Sequence, residues 1–350
     1  MHPDRRLLLK SLPSVLLASS LFPLGSALAA QPRFPAALLV PQTGDHAALG
    51  RSMERAASLA QGADEEKHLL VFDTTDTTSG AHEAARQARR EGATIILGPV
   101  FSAQTRPVLD AVGSDIPVLS FSNDLDLRES GGFMLGVTAD QAVRAILGYA
   151  AGRGIRRVAV GGAETGWAGQ VRDAARANGL STGISITPLP SGELSEIPPI
   201  VESQDGYPDA VLMPDAVALA RLAPSLSAIG VQPLGAFSDL DLTDSVLRTL
   251  DGAWVAAPDI ADFSDFASAF ESRMGTRPGL LSGLAYDAAR IAGILRLSGS
   301  TDRSALLSIP RFDGVCGDLR FREDGSAMRT MSVLQVSRGR LLAIGVGAPV

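Results

Sequence analysis

The chain has 350 residues, 45% of them hydrophobic and 20% charged, with a formal net charge of −7. That length supports one large domain or two smaller ones with substantial cores, and the composition excludes an intrinsically disordered chain. The acidic balance, with no block of Lys and Arg interleaved with aromatics, argues against a nucleic-acid partner.

The chain opens with "MHPDRRLLLKSLPSVLLASSLFPLGSALA", a basic start, an apolar stretch and the small-residue site Ala27-Leu28-Ala29. This reads as a cleavable export signal over residues 1–29 and is set aside from fold reasoning. Arg5-Arg6 fits the twin-arginine route, while Asp4 and the prolines of the apolar stretch fit it less well, so both that route and the Sec route stay open. No later run of about 18 apolar residues exists, so no membrane span is expected in the mature chain and its predicted location is the periplasm. Cys316 is the only cysteine, which rules out an intramolecular disulfide, and its position far from the signal gives no lipid anchor there.

Short apolar strands then alternate with amphipathic helices. "AALLVPQ" is a strand, and "ALGRSMERAASLAQG" a helix with Leu49, Met53, Ala56, Ala57 and Ala60 on one face. "KHLLVFDTT" is a strand, and "SGAHEAARQARREG" a helix that stops at Gly92. The strand "ATIILGP", the helix "SAQTRPVLDAVGS" and the strands "IPVLSFS" and "GGFMLGV" complete a first series. A second series runs from the helix "ADQAVRAILGYAAGRG" through "RRVAVGGA", "GWAGQVRDAARANG", "STGISITPLP", "PDAVLMPDAV", "ALARLAPSLSAIG" and "VQPLGAFSD" to "AWVAAPD". Two helices, "DFSDFASAFESRMG" and "LLSGLAYDAARIAGILRLSG", follow without strands between them. The end reads as a hairpin about Asp324-Gly325 and one terminal strand.

Continuous apolar strands alternating with such helices mean βαβ units and parallel sheets covered on both faces. The predicted class is α/β, with two Rossmann-like lobes of parallel sheet joined by several crossing strands. Residues 34–138 and 262–310 are assigned to the first lobe, and residues 139–261 and 311–345 to the second.

"ATIILGP" and "IPVLSFS" are joined by one helix, so they are expected to be sheet neighbours whose following loops emerge on one edge. Ligands of open α/β sheets sit at that edge, where loops and helix N-termini gather. Ser102 offers a hydroxyl there, although the same residue could simply cap the helix. Asp124 offers a charge or else a turn residue. Trp167 is either a cleft wall or a core plug.

The order of "LLVPQTGDHAALGRSMERAASLA", "DTTDTTSGAHEAARQARREGATIILGPVFSAQT", "IPVLSFSND", "YDAARIAGIL" and "FDGVCGDLRFREDG" resembles the type I periplasmic solute-binding proteins, above all their leucine/isoleucine/valine-binding branch. The wording "IILGPVFSAQT…IPVLSFSND" is most similar to members called penicillin-binding protein activators. The resemblance implies a ligand carboxylate at Ser102 and Ala103, with Ser122, Asn123 and Asp124 beside it. It places Trp167 where amino-acid binders present a tyrosine, and Ser238 and Asp239 near their ammonium-binding acid. Asp124 departs from that pattern. An ionised carboxylate would repel a bound one in a poorly solvated cleft, which speaks against a simple branched-chain amino acid in the usual pose.

Enzyme motifs fail on context. Gly179-Leu180-Ser181-Thr182-Gly183 matches G-x-S-x-G by letter but runs from a helix into a strand, the reverse of a nucleophile elbow. "HEAAR" at His82 lacks the second zinc histidine, and "DTTDTTSG" lacks the acid spacing of a calcium loop. No catalytic residue, metal or cofactor is expected. The leading expectation is a binder of a small, amino acid-like polar solute for ABC-type import, with an ABC permease as partner. The alternative is a regulator of peptidoglycan synthesis with a synthase as partner.

Overall fold

The computed structural model describes residues 34–61, 68–189, 206–238, 242–258 and 260–346; the predicted export signal lies outside them. The first sheet is built from β1 (Ala36–Val40), β2 (Leu69–Asp73), β3 (Ile95–Leu97), β4 (Val118–Ser120) and β5 (Phe133–Met134), in the spatial order β2-β1-β3-β4-β5. All its pairings are parallel. β1 is buried along its whole length, as a central strand covered on both faces must be. Its helices are α1 (Ala47–Gln61), α2 (Thr78–Arg90) and α3 (Ser102–Val112). α1 buries Gly50, Met53, Ala56 and Ala57, a stripe of helical period. α2 is capped by Thr77, whose side chain accepts the Gly80 N–H, and its last turn carries Arg89 and Arg90.

The chain then leaves for a second sheet through α4 (Ala139–Gly152), which starts with a capping box between Thr138 and Gln141. β6 (Arg157–Val160), α5 (Gly166–Thr182), β7 (Ser185–Pro188), β8 (Ala210–Met213), α6 (Ala216–Ala228), β9 (Gln232–Gly235), α7 (Asp244–Thr249) and β10 (Trp254–Ala257) follow. α8 (Ile260–Met274), α9 (Leu280–Ser298) and α10 (Arg303–Leu307) lead to the hairpin of β11 (Leu319–Phe321) and β12 (Ala327–Arg329). β13 (Ser332–Ser337) and β14 (Arg340–Val346) then close the second sheet, ordered β14-β13-β10-β9-β8-β6-β7. Its last two strands pair antiparallel, the others parallel.

Each sheet has its own core. Leu284, Ala288, Ile291 and Leu295 of α9 pack with Leu38, Ile95 and Leu97, so a late helix covers the first sheet. Val143, Ile146 and Leu147 of α4 pack with Val158, Leu212 and Val333 in the second. This is an α/β protein of two parallel-sheet lobes. Phe312, Cys316, Leu319 and Phe321 pack into the first core, whereas Met331 and Val333 belong to the second. The chain thus changes core between Phe321 and Met331.

Two further differences are local. The single terminal strand is the hairpin β13–β14, turning at Arg338 and Gly339, both at positive φ. Ser181 and Thr182, expected to open a strand, end α5 instead, and their hydroxyls bond to Asn178 O. Gly183, in the left-handed conformation, stops that helix.

Candidate functional site

The loops after β3 and β4 leave one sheet edge, because Ile96 pairs with Val118 and Leu97 with Leu119 in parallel register. They are fastened together. Phe121 N–H donates to Pro99 O at 2.9 Å, and the hydroxyls of Thr105 and Ser120 share a hydrogen bond of 2.9 Å. Gly98 stands where nothing larger fits, at φ +122 with Leu39 O only 2.4 Å from where a Cβ would lie.

Ser102 is the first residue of α3, and the N-cap is Phe101. Ser102 therefore does not cap the helix, and its hydroxyl makes no hydrogen bond among the described residues. Ala103 beside it is exposed. Ser122 is buried, with its Oγ accepting the Asp124 N–H at 3.1 Å. Asp124 accepts the Asp126 N–H at 3.0 Å, which is the turn role. Asn123, half-buried between them, has no side-chain hydrogen bond among the described residues.

Sequence reasoning missed the neighbouring cluster at the ends of β1 and β2. Asp73 Oδ1 accepts the N–H groups of Gln42 at 2.8 Å, Thr75 at 2.8 Å and Thr43 at 3.3 Å, while Oδ2 accepts the Thr43 hydroxyl at 2.7 Å. Partial burial pushes this carboxyl up, but those four donors outweigh it and hold it below the usual carboxylate range. His46 Nδ1 lies 2.7 Å from Asp76 Oδ2, and its ring packs on Phe101 with centroids 4.8 Å apart. Thr75 and Asp76 both hold left-handed backbone, at φ +48 and +57. The signals were the strand-end Asp73 and the hydroxyl-rich loop; the pairing across 30 positions has no spacing signature.

The corresponding edge of the second sheet carries Trp167, the second residue of α5. Its Nε1–H donates to Ala236 O at 2.9 Å, just past β9, and its ring packs against the second core. Buried Arg172 holds the loop before α5, donating to Gly162 O at 3.2 Å and Glu164 Oε1 at 3.4 Å. Ser238 is exposed beyond β9; Asp239 lies outside the described residues. The expected residues thus form two groups. Ser102, Ala103, Ser122, Asn123 and Asp124 share one edge, and Trp167 and Ser238 share another.

This chemistry is hydrogen bonding. Burial pushes the Cys316 thiol far above its ordinary range, so it is no nucleophile, and the Ser181 hydroxyl is tied to its own helix. Among the described residues no group of three or more His, Cys, Asp or Glu side chains could hold a metal ion, and no helix is long and apolar enough to cross a membrane.

The profile of the family described as "Periplasmic binding protein" matches residues 35–340. The chain belongs to that family. Its fold is that of the type I periplasmic binding proteins. A protein from Rhodospirillum rubrum, assigned as a branched-chain amino acid ABC transporter, superposes with a TM-score of 0.78 at 22% identity, covering 89% of this chain and 100% of that one. Leucine binding protein LivK from Thermotoga maritima gives 0.62 at 19%, covering 89% and 98%. The C-domain of LpoA from Haemophilus influenzae, a regulator of PBP1A, gives 0.70 at 16%, covering 89% and 99%. At these identities the likeness is one of fold. No curated protein matches the sequence.

Proposed function

We propose that this periplasmic binding protein holds a small polar, amino acid-like solute between the edges of its two sheets, for delivery to an ABC-type permease. One observation carries the reading. At the edge shared by β3 and β4, the Ser102 hydroxyl and the Asn123 amide have no partner among the described residues, while the side chains that shape their loops are satisfied internally. Groups left open on a fixed frame suit recognition, because the frame is already ordered when the ligand arrives. The solute contacts proposed are Ser102, Ala103, Ser122 and Asn123 from the first lobe, with Asp124 setting the local charge. Trp167, Ser238 and Asp239 are the proposed contacts from the second.

Two observations favour a second reading, a regulator of cell-wall synthesis that needs no solute. The Asp124 carboxylate and the Trp167 N–H, both expected ligand contacts, are engaged within the protein. LpoA shares the fold. Titration calorimetry against amino acids, short peptides, benzoate and muropeptides separates the two. Binding of one compound that weakens in Ser102→Ala, and that in Asp124→Asn weakens if the compound is cationic or tightens if it is anionic, supports the solute reading. No binding across the panel, with capture of a peptidoglycan synthase, supports the regulator.

A further inference from the structure

Arg329 is the largest fully buried side chain among the described residues, 1% exposed, and it ends β12 immediately before the chain crosses to the second sheet. Its guanidinium reaches three carbonyls that are far away in sequence. Nη2 donates to Leu135 O at 2.7 Å; Nη1 donates to Cys316 O and, at 3.4 Å, to Gly317 O. The charge is answered through the same residue. Asp287 of α9, fully buried, accepts the Val315 N–H at 2.9 Å and the Cys316 N–H at 3.0 Å, so Cys316 is gripped by a carboxylate on one side and a guanidinium on the other.

Leu135 belongs to another crossing. It lies in the first core, while Val137, two residues on, lies in the second. The final crossing likewise changes core, from Phe321 of the hairpin to Met331. Arg329 therefore fastens two crossing segments to each other at the point where both leave the first core. The next residue ties them to the proposed site. Gly136 N–H donates to Ser122 O at 3.1 Å, and a Cβ on Gly136 would lie 2.4 Å from that same oxygen.

We propose that Arg329 is a positioning residue, which makes the two crossing segments bend as one hinge and keeps that hinge in register with the Ser122 loop. It rests on the two-lobed solute-binding reading only for what the motion is used for. With Leu135 and Arg329 held together, these two segments, out of the three that cross between the cores, are left to bend at Gly136–Thr138 and Thr330–Ser332. Two segments that bend at adjacent points share an axis; two untied segments need not. A lysine cannot replace the fork, because a compact ammonium does not span carbonyls from separate segments.

The test uses the mature chain without added solute, spin-labelled at Asp110→Cys on α3 and Ala177→Cys on α5, both exposed positions. Cys316 is buried and takes no label. Pulsed electron–electron distance measurements are compared for Arg329, Arg329→Lys and Arg329→Met, with thermal melts of each. The expected result is a narrow distribution with Arg329 that widens about twofold in the variants, while the Arg329→Lys melt stays cooperative. Unchanged widths in the folded variants overturn the proposal. Loss of the cooperative melt in both also overturns it, since Arg329 then holds the fold and not the hinge. Adding the solute panel to the Arg329 protein tests the other reading separately: distances unmoved by every compound count against solute closure and leave the solute-free comparison standing.

Discussion

His46 and Asp76 are 30 residues apart in the chain, and their side chains meet at 2.7 Å at the edge of the first sheet. The contact joins the loops after β1 and β2, and the imidazole lies against Phe101, the N-cap of α3. Three neighbouring strand ends are thereby set relative to one another. The histidine side chain is 51% exposed, so the pair adds little to global stability. His46→Ala is expected to change unfolding free energy by less than about 1 kcal/mol. It should nevertheless shift the backbone amide signals of Phe101, Ser102 and Thr75–Thr77 in a heteronuclear NMR spectrum. Shifts confined to Asp45–Ala48 would mean that the pair does not set the α3 N-terminus.

Gly98 is where the frame of the site has least tolerance. Its φ of +122 disfavours any side chain, and the carbonyl of Leu39 belongs to the buried central strand, which has no room to yield. Gly98→Ala is expected to destabilise by about 3 kcal/mol, read as a lower urea midpoint with unchanged slope. A cost below about 0.5 kcal/mol, the usual range for a surface change, would contradict this packing.

Asp73 gives a pH signature with a definite sign. Its folded-state carboxyl is held below 3.8, the ordinary value, so the stability it contributes is present above that value. It is lost as pH falls from the unfolded-state value through the folded one. Unfolding free energies from pH 6 down to about pH 2 should therefore fall less steeply in Asp73→Asn than in the unmodified protein. Equal slopes would show that the Thr43 and backbone donors do not favour the charged form.

Asp124 separates a loop role from a binding one. Its carboxylate accepts one N–H, and an asparagine oxygen can accept the same bond. Asp124→Asn is expected to leave stability within about 0.5 kcal/mol while raising the affinity of an anionic solute and lowering that of a cationic one. Unchanged affinity for both would move the proposed site away from this loop.

The sheet alternation was legible because buried strands such as Ala36–Val40 and Ala210–Met213 are unbroken apolar runs, and helices such as α1 carry one apolar stripe. Short elements escaped. α7 and α10 span only a turn or so, too little for a period to show. The β13–β14 turn was missed because Arg338 adopts positive φ, a conformation its residue type does not announce. At the site, strand order brought Ser102 and Ser122–Asp124 to one edge, as adjacency along the chain implied. What could not be read were contacts between distant positions: His46 with Asp76, Trp167 with Ala236, Arg329 with Leu135. Each depends on how elements pack, and none has a local pattern.

The central claim is that a small solute occupies the protein, and native mass spectrometry of the chain purified under gentle conditions from the cells that make it tests this most directly. The account predicts a mass excess equal to one small molecule, released on denaturation and reduced in Ser102→Ala. A bare protein mass, unshifted by the amino-acid, peptide, benzoate and muropeptide panel, would contradict it.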